Sequence, residues 1–384
     1  MSHDLTAFRD EFPLLRNKTY LNTCSYGALS HAVERAFQQY LQSRHTHGSH
    51  WERWVEQLEI LRGWLASLLQ CGPADLSIST SLSESVNALA SSLDPSGERN
   101  SIVLTDFDFP TTSQIWLAQQ RRGARVTRAR ADESGVHIPL EHFDALIDDR
   151  TLLVSLPLVC YRNGVKLDIG PVIELAQERG ALVLVDAYQA IGSMPLAVPE
   201  TGADFVVGGC LKYLLGTAGI AYMYVRDSEF RPEIPTTTGW FAQQDVNAMD
   251  IYHNVPAGNA RRFESGTPNV SATYACAAGL ELLLSLGLEV VQQQIEHLTG
   301  RIAEGALARG WRLVTPAAPG KHGAMMAIAA KDAPALVGEL AADGIVVSDR
   351  GGNLRISPHA YNNDDDIDIL FRSLERKAGS LRSR

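Results

Sequence analysis

Between Leu76 and Val225, short apolar runs rich in β-branched residues alternate with stretches of helical period; the runs are Ser101–Thr105, Thr151–Ser155, Ala181–Val185, Phe205–Val207 and Gly219–Met223. This alternation constrains the fold more than any other feature. Parallel strands need crossover connections, and helices laid on both faces leave the strands reading as continuous apolar runs. The chain is therefore expected to be α/β, built on a mainly parallel sheet.

Helical patterns flank that region, with apolar residues recurring at spacings of three and four. Two come before it, Ser30 to about Gln42 and Trp51–Leu69, and two after it, Ser271–Leu286 and Leu288–Arg309. The intervening stretch Arg226–Ser265 is polar, turn-rich and without period, and reads as a long surface excursion of the kind that often carries function. From Trp311 onward, short strands and helices alternate as a smaller domain, which suits a chain of 384 residues, longer than one core usually serves.

Composition narrows the function. The net charge of −10 and the scatter of Lys and Arg leave no phosphate-neutralising stripe, which argues against nucleic-acid binding. The five cysteines are widely spaced without a Cys-x-x-Cys pair, so neither a disulfide framework nor a zinc site is expected, and a reducing cytoplasm fits. Met1–Pro13 carries Asp4, Asp10 and Glu11 and no apolar core, so no signal peptide is expected, and no run of about 18 apolar residues suggests a membrane span.

Open parallel sheets bind ligands at the carboxyl ends of their strands. Asp186 ends the run Ala181–Val185, and a helix N-cap is its plain structural reading. The next strand, however, delivers Lys212 to the same edge after Gly208 and Gly209, whose lack of side chains would let a ligand approach. Lys212 is embedded in apolar sequence, and desolvation would favour its neutral, nucleophilic amine. A lysine able to form a Schiff base, with an acid beside it to keep a pyridine nitrogen protonated, points to pyridoxal 5'-phosphate (PLP). The glycine fingerprint of dinucleotide enzymes, the phosphate-binding loop of nucleotide triphosphatases and the His-Glu-x-x-His of zinc proteases are all missing.

Taken in order, these motifs resemble the class V aminotransferase superfamily of fold-type I PLP enzymes over roughly Tyr20–Asp368, in its kynureninase-like, isopenicillin N epimerase-like and cysteine desulfurase-like branches. The resemblance implies a mainly parallel seven-stranded sheet in a large domain, residues 21–284, a smaller α+β domain, residues 285–384, and an N-terminal segment, residues 1–20, packed with the small domain. In Asp186-Ala-Tyr-Gln189 it implies Asp186 on the pyridine nitrogen and Gln189 near the ring hydroxyl. Ser79–Glu84 looks like the phosphate loop, with Leu82 through its backbone and Ser83 as contacts, where amides converge at a helix start. Phe109 aligns with the residue stacked on the ring. Thr267, in Arg262–Asn269, and Trp240, in Gly239-Trp-Phe241, look like residues that reach the phosphate of a neighbouring subunit, which implies a homodimer with shared active sites.

Substrate carboxylates favour a guanidinium fork. Arg355, in Asn353–Tyr361, resembles the family's carboxylate binder; Asn22, Ser25 and Tyr26 resemble its substrate-facing turn, and Tyr161 is a candidate acid or base. Two departures bear on the reaction. Val346–Asn353 has no cysteine where desulfurases carry their nucleophile, and Leu211 and Gln189 stand where kynureninases have Tyr and His. The expectation is a PLP-dependent lyase or aminotransferase acting on a small L-amino acid, with the freed Lys212 amine as base at Cα. An epimerase and a non-catalytic PLP-binding scaffold are the alternatives; a dinucleotide-dependent oxidoreductase lacks its fingerprint.

Overall fold

The computed structural model describes residues 4–383. Seven strands make the central sheet: β1 (Leu76–Ser79), β2 (Ser101–Thr105), β3 (Arg125–Ala129), β4 (Thr151–Pro157), β5 (Leu182–Asp186), β6 (Phe205–Gly209) and β7 (Ala221–Val225), in the order β1-β7-β6-β5-β4-β2-β3. Only β7 runs against its neighbours, β1 and β6. Side chains alternate across the sheet as the pleat requires. Leu104, Leu153, Leu184, Phe205 and Met223 share a core with Val86 and Leu89 of the helix Leu82–Ser92 on one face, while Val103, Val154, Val183, Val206 and Tyr222 belong to the core on the other. Burial on both faces is what makes the strand sequences so continuously apolar.

The edge strand β3 escaped the sequence pattern because only Ala129 of its five residues is fully buried. The helices Trp51–Leu69, Val270–Leu286 and Leu288–Ala308 lie close to their sequence patterns, and the helix expected from Ser30 to about Gln42 spans His31–His47. Among the described residues no single helix is long and apolar enough to cross a membrane; the apolar pair Val270–Leu286 and Leu288–Ala308 is bent by 80°.

A second sheet, β8 (Met326–Ala329), β9 (Ser348–Arg350) and β10 (Asn353–Ile356), is antiparallel in the order β9-β10-β8. Its inner face packs Ile328, Leu354 and Ile356 with Leu298 and Ile302 of helix Leu288–Ala308 and Leu370 and Leu374 of helix Asp364–Arg376. The earlier turns of helix Leu288–Ala308 belong to the large core through Val291 and Ile295. The N-terminal segment spans both cores: Thr19–Tyr20 pairs with Ile345–Val346 and Arg9 bonds Asp366 at 2.7 Å, while Phe8 and Phe12 join the large one.

Arg226–Ser265 contains only short helical turns. The buried Arg262 guanidinium ties the excursion together by donating to the carbonyls of Glu233 and Ser228 at 2.8 Å and of Arg231 at 3.2 Å.

Candidate active site

The carboxyl ends of β4, β5 and β6 open onto one cavity of about 360 Å³, lined by Pro157 and Asp186 from the first two strands and by Lys212 just beyond the third. Asp186 is not a helix cap, since a tight turn and no helix follows it; its Oδ1 accepts the Tyr188 N–H at 2.9 Å. Burial pushes the Asp186 carboxyl up, against the opposing pull of that N–H and of Lys212. The same burial lowers the Lys212 ammonium to about 8; Asp186 opposes the shift, and the guanidinium groups of Arg355 and Arg350 add to it. Paired strand ends thus bring together an acid that retains its proton more readily than usual and an amine that loses it more readily.

Gly208 and Gly209 have a different purpose from the one expected. A Cβ on Gly208 would collide with the Tyr222 ring and one on Gly209 with the Tyr188 ring, so the glycines make room for two tyrosines. The Tyr188 ring in turn lies 4.4 Å from Lys212 Nζ, and the Phe109 ring 5.7 Å from it. Phe109 meets Tyr161 edge to face with centroids 4.9 Å apart, and both line the cavity.

At the far end lie Thr80, Ser81, Leu82 and Ser83. Ser81 caps helix Leu82–Ser92, its hydroxyl accepting the Glu84 N–H at 3.2 Å, while the N–H groups of Leu82 and Ser83, in the first turn, have no intrahelical acceptor and suit an anion. The loop is held in shape by Glu84, which accepts the Thr80 N–H at 2.8 Å and the hydroxyls of Thr80 and Ser265. Burial alone would raise the Glu84 carboxyl, and these bonds outweigh it to leave it lowered. Gln189 lines the cavity, donates to the Cys24 carbonyl at 3.1 Å, and among the described residues leaves its buried Oε1 without a partner.

Arg355, only 2% exposed, lies behind the cavity wall. Its Nη1 donates to the Tyr161 carbonyl at 2.7 Å and its Nη2 to Ser25 Oγ at 3.2 Å and Ser348 Oγ at 3.0 Å; its Nε has no partner among the described residues. Of the N-terminal turn, Ser25 lines the cavity. Asn22 does not, and holds the turn by accepting the Ser25 N–H at 3.0 Å and the Tyr26 N–H at 3.2 Å; Tyr26 bonds Thr217 Oγ1 at 2.8 Å and the Ala218 N–H at 2.9 Å. Thr267 lies in a separate small hollow beside Thr80 and Glu84. Trp240 lies in the excursion, its indole N–H donating to the Val246 carbonyl at 2.7 Å.

Three neighbours were not read from the sequence. Tyr188 sits inside the Asp-x-x-Gln motif, and the pair Gly208-Gly209 was its signal. Ser348 falls in a segment read only for its missing cysteine. Asp108, beside Phe109, accepts the Thr105 N–H at 2.5 Å and its hydroxyl at 2.8 Å; burial pushes its carboxyl up to about 7, and among the described residues Oδ1 has no partner.

Comparison with known proteins gives the family and the fold. Residues 28–370 match the model of the family described as Aminotransferase class-V. The chain is 33% identical to the uncharacterized aminotransferase YcbU of Bacillus subtilis (strain 168), over 96% of each protein. It is 27% identical to a kynureninase of Geobacillus thermodenitrificans (strain NG80-2), over 94% of this chain and 89% of that one. An apo cysteine desulfurase structure from Thermococcus onnurineus NA1 shares the fold with a TM-score of 0.86 at 22% identity, covering 97% of this chain and 98% of that one.

Proposed function

The chain belongs to the class-V aminotransferase family of PLP-dependent enzymes, and from that premise we propose that it is a lyase or aminotransferase working at the α-carbon of a small L-amino acid. The observation that carries this reading is the convergence of Lys212 and Asp186, from adjacent strand ends, in one cavity. The residues present fit PLP. Gln189 Oε1, buried and without a partner among the described residues, suits a ring hydroxyl, free helix-start amides at Leu82 and Ser83 suit a phosphate, and Phe109 offers a ring face. When bound, PLP supplies an electron sink for the pair released at Cα.

Lys212 would hold the cofactor and, once released, take the Cα proton at Nζ; an amine near 8 is suited to both tasks at neutral pH. Asp186 would hold a proton at the pyridine nitrogen. Arg355 would turn its fork toward the substrate carboxylate in place of Ser25, and Tyr161, fixed through its carbonyl by the same guanidinium, would act on the substrate side as acid or base.

A homodimer suits the same reading. Thr267 and Trp240 lie outside their own chain's cavity, and the excursion exposes Phe230, Ile251 and Tyr252 at 84–87%. Apolar side chains presented so openly suggest burial against a second copy. Five free cysteines favour a reducing compartment, the cytoplasm.

The test is the visible spectrum of the purified protein, followed by a panel of L-amino acids with keto acid and ammonia measured. A yellow band that shifts supports the reading; ammonia with a keto acid from a β-substituted substrate identifies a lyase, and keto acid with an aminated cofactor identifies an aminotransferase. A protein that stays colourless with added PLP contradicts it.

A further inference from the structure

We propose that Arg350 is a specificity residue that selects substrates whose side chain ends in a second anionic group, a carboxylate or a sulfinate; this rests on the enzymatic reading above. The hairpin β9–β10 pairs Ser348 with Arg355 and Arg350 with Asn353. Alternate residues of a strand and their cross-strand partners share one face. Ser348, Arg350, Asn353 and Arg355 therefore project together, while Leu354 turns into the small-domain core.

The shared face is the one turned toward the cavity. Ser348 Oγ accepts from Arg355 Nη2 at 3.0 Å, and the same nitrogen reaches the cavity-lining Ser25. Arg350 stands diagonal to Arg355, about 7–8 Å away at the backbone. It is held at the hairpin tip by Gly351 and Gly352, both at positive φ (58° and 77°). Arg350 is exposed, and among the described residues its side chain forms no ion pair and one hydrogen bond, from Nη1 to the Asp349 carbonyl at 2.8 Å.

Two guanidinium groups on one face have different environments. Arg355 is buried and fixed by three protein oxygens, as a binder of the carboxylate common to every substrate must be. Arg350 is uncommitted and further out, where a variable side chain would end. In a chain of net charge −10, Arg355 and Arg350 stand on one hairpin face and both act as cations on Lys212, a field that favours a dianionic ligand over a neutral one.

The experiment compares kcat/KM, or the rate of the cofactor band shift, for L-aspartate, L-glutamate and L-cysteine sulfinate against L-alanine, in wild type, Arg350→Gln and Arg350→Lys. The expected result is a wild-type preference for at least one acidic substrate that falls about 10- to 100-fold in Arg350→Gln, the size of a lost charge-assisted bond, and is largely restored in Arg350→Lys. Carboxylates and the sulfinate in separate arms show which anion the site takes. A wild type that reacts with neutral amino acids only, or a glutamine variant that slows every substrate equally, overturns the assignment and leaves the enzymatic reading standing. A cofactor band that responds to no amino acid overturns both.

Discussion

The Nζ of Lys212 lies 4.4 Å from the centroid of the Tyr188 ring, on a tyrosine admitted to the site by the missing side chain of Gly209. The ring face attracts a cation and opposes the burial that brings Lys212 down to about 8. Burial thus lowers the amine against the pull of Asp186 and of the ring.

Replacing Tyr188 with Leu keeps the wall apolar and removes the ring. The cation loses about 0.5–2 kcal/mol of attraction, so the Lys212 pKa of the cofactor-free protein falls further, by roughly 0.4 to 1.5. Tyr188→Phe leaves it unchanged. The pH dependence of amine labelling at Lys212 checks both, and a rise in the leucine variant would contradict the account.

The same depression predicts a stability profile. In the unfolded chain Lys212 titrates at its ordinary 10.5 and in the folded one at about 8, so between those values the unfolded state holds more protons and stability rises with pH. Below about 8 the cost of the buried ammonium is fully present, and above 10.5 it is gone. Relative to Lys212→Met, the cofactor-free wild type gains on the order of 3 kcal/mol across that window. Denaturant melts at pH 7.5, 9 and 10.5 measure the difference, and a flat difference would refute it.

How much of this was legible in the sequence follows from what each residue answers to. Asp186 and Lys212 each terminate an apolar run, and a polar residue at the end of a buried strand stands out against its own neighbours. Strand β3 did not, because an edge strand with one fully buried residue has no apolar pattern to read. The roles of Tyr188 and Ser348 arise from contacts across the fold. Gly209 looked like space for a ligand until Tyr188 was seen to fill it, and Ser348 matters because β9 pairs it with Arg355.

For Arg355 the expected loss is in substrate affinity. Arg355→Gln removes the fork that would pair with the substrate carboxylate, a change of 2 kcal/mol or more, so the KM for amino acids rises roughly 30-fold or more. Cofactor content, read from the visible band, stays near wild type because Arg355 does not line the cofactor cavity. Ser348→Ala, which removes the oxygen that accepts from Nη2, raises the KM about 3- to 10-fold. Loss of cofactor with unchanged KM in the glutamine variant would reverse the assignment.

The central claim is that Lys212 holds the cofactor, and it is tested most directly by reducing the PLP-loaded protein with borohydride and mapping the labelled peptide. The account predicts one pyridoxyl group per chain, on Lys212, and none in Lys212→Ala, whose turnover falls about 10³-fold or more. A label on another lysine, or wild-type turnover in the alanine variant, would contradict it.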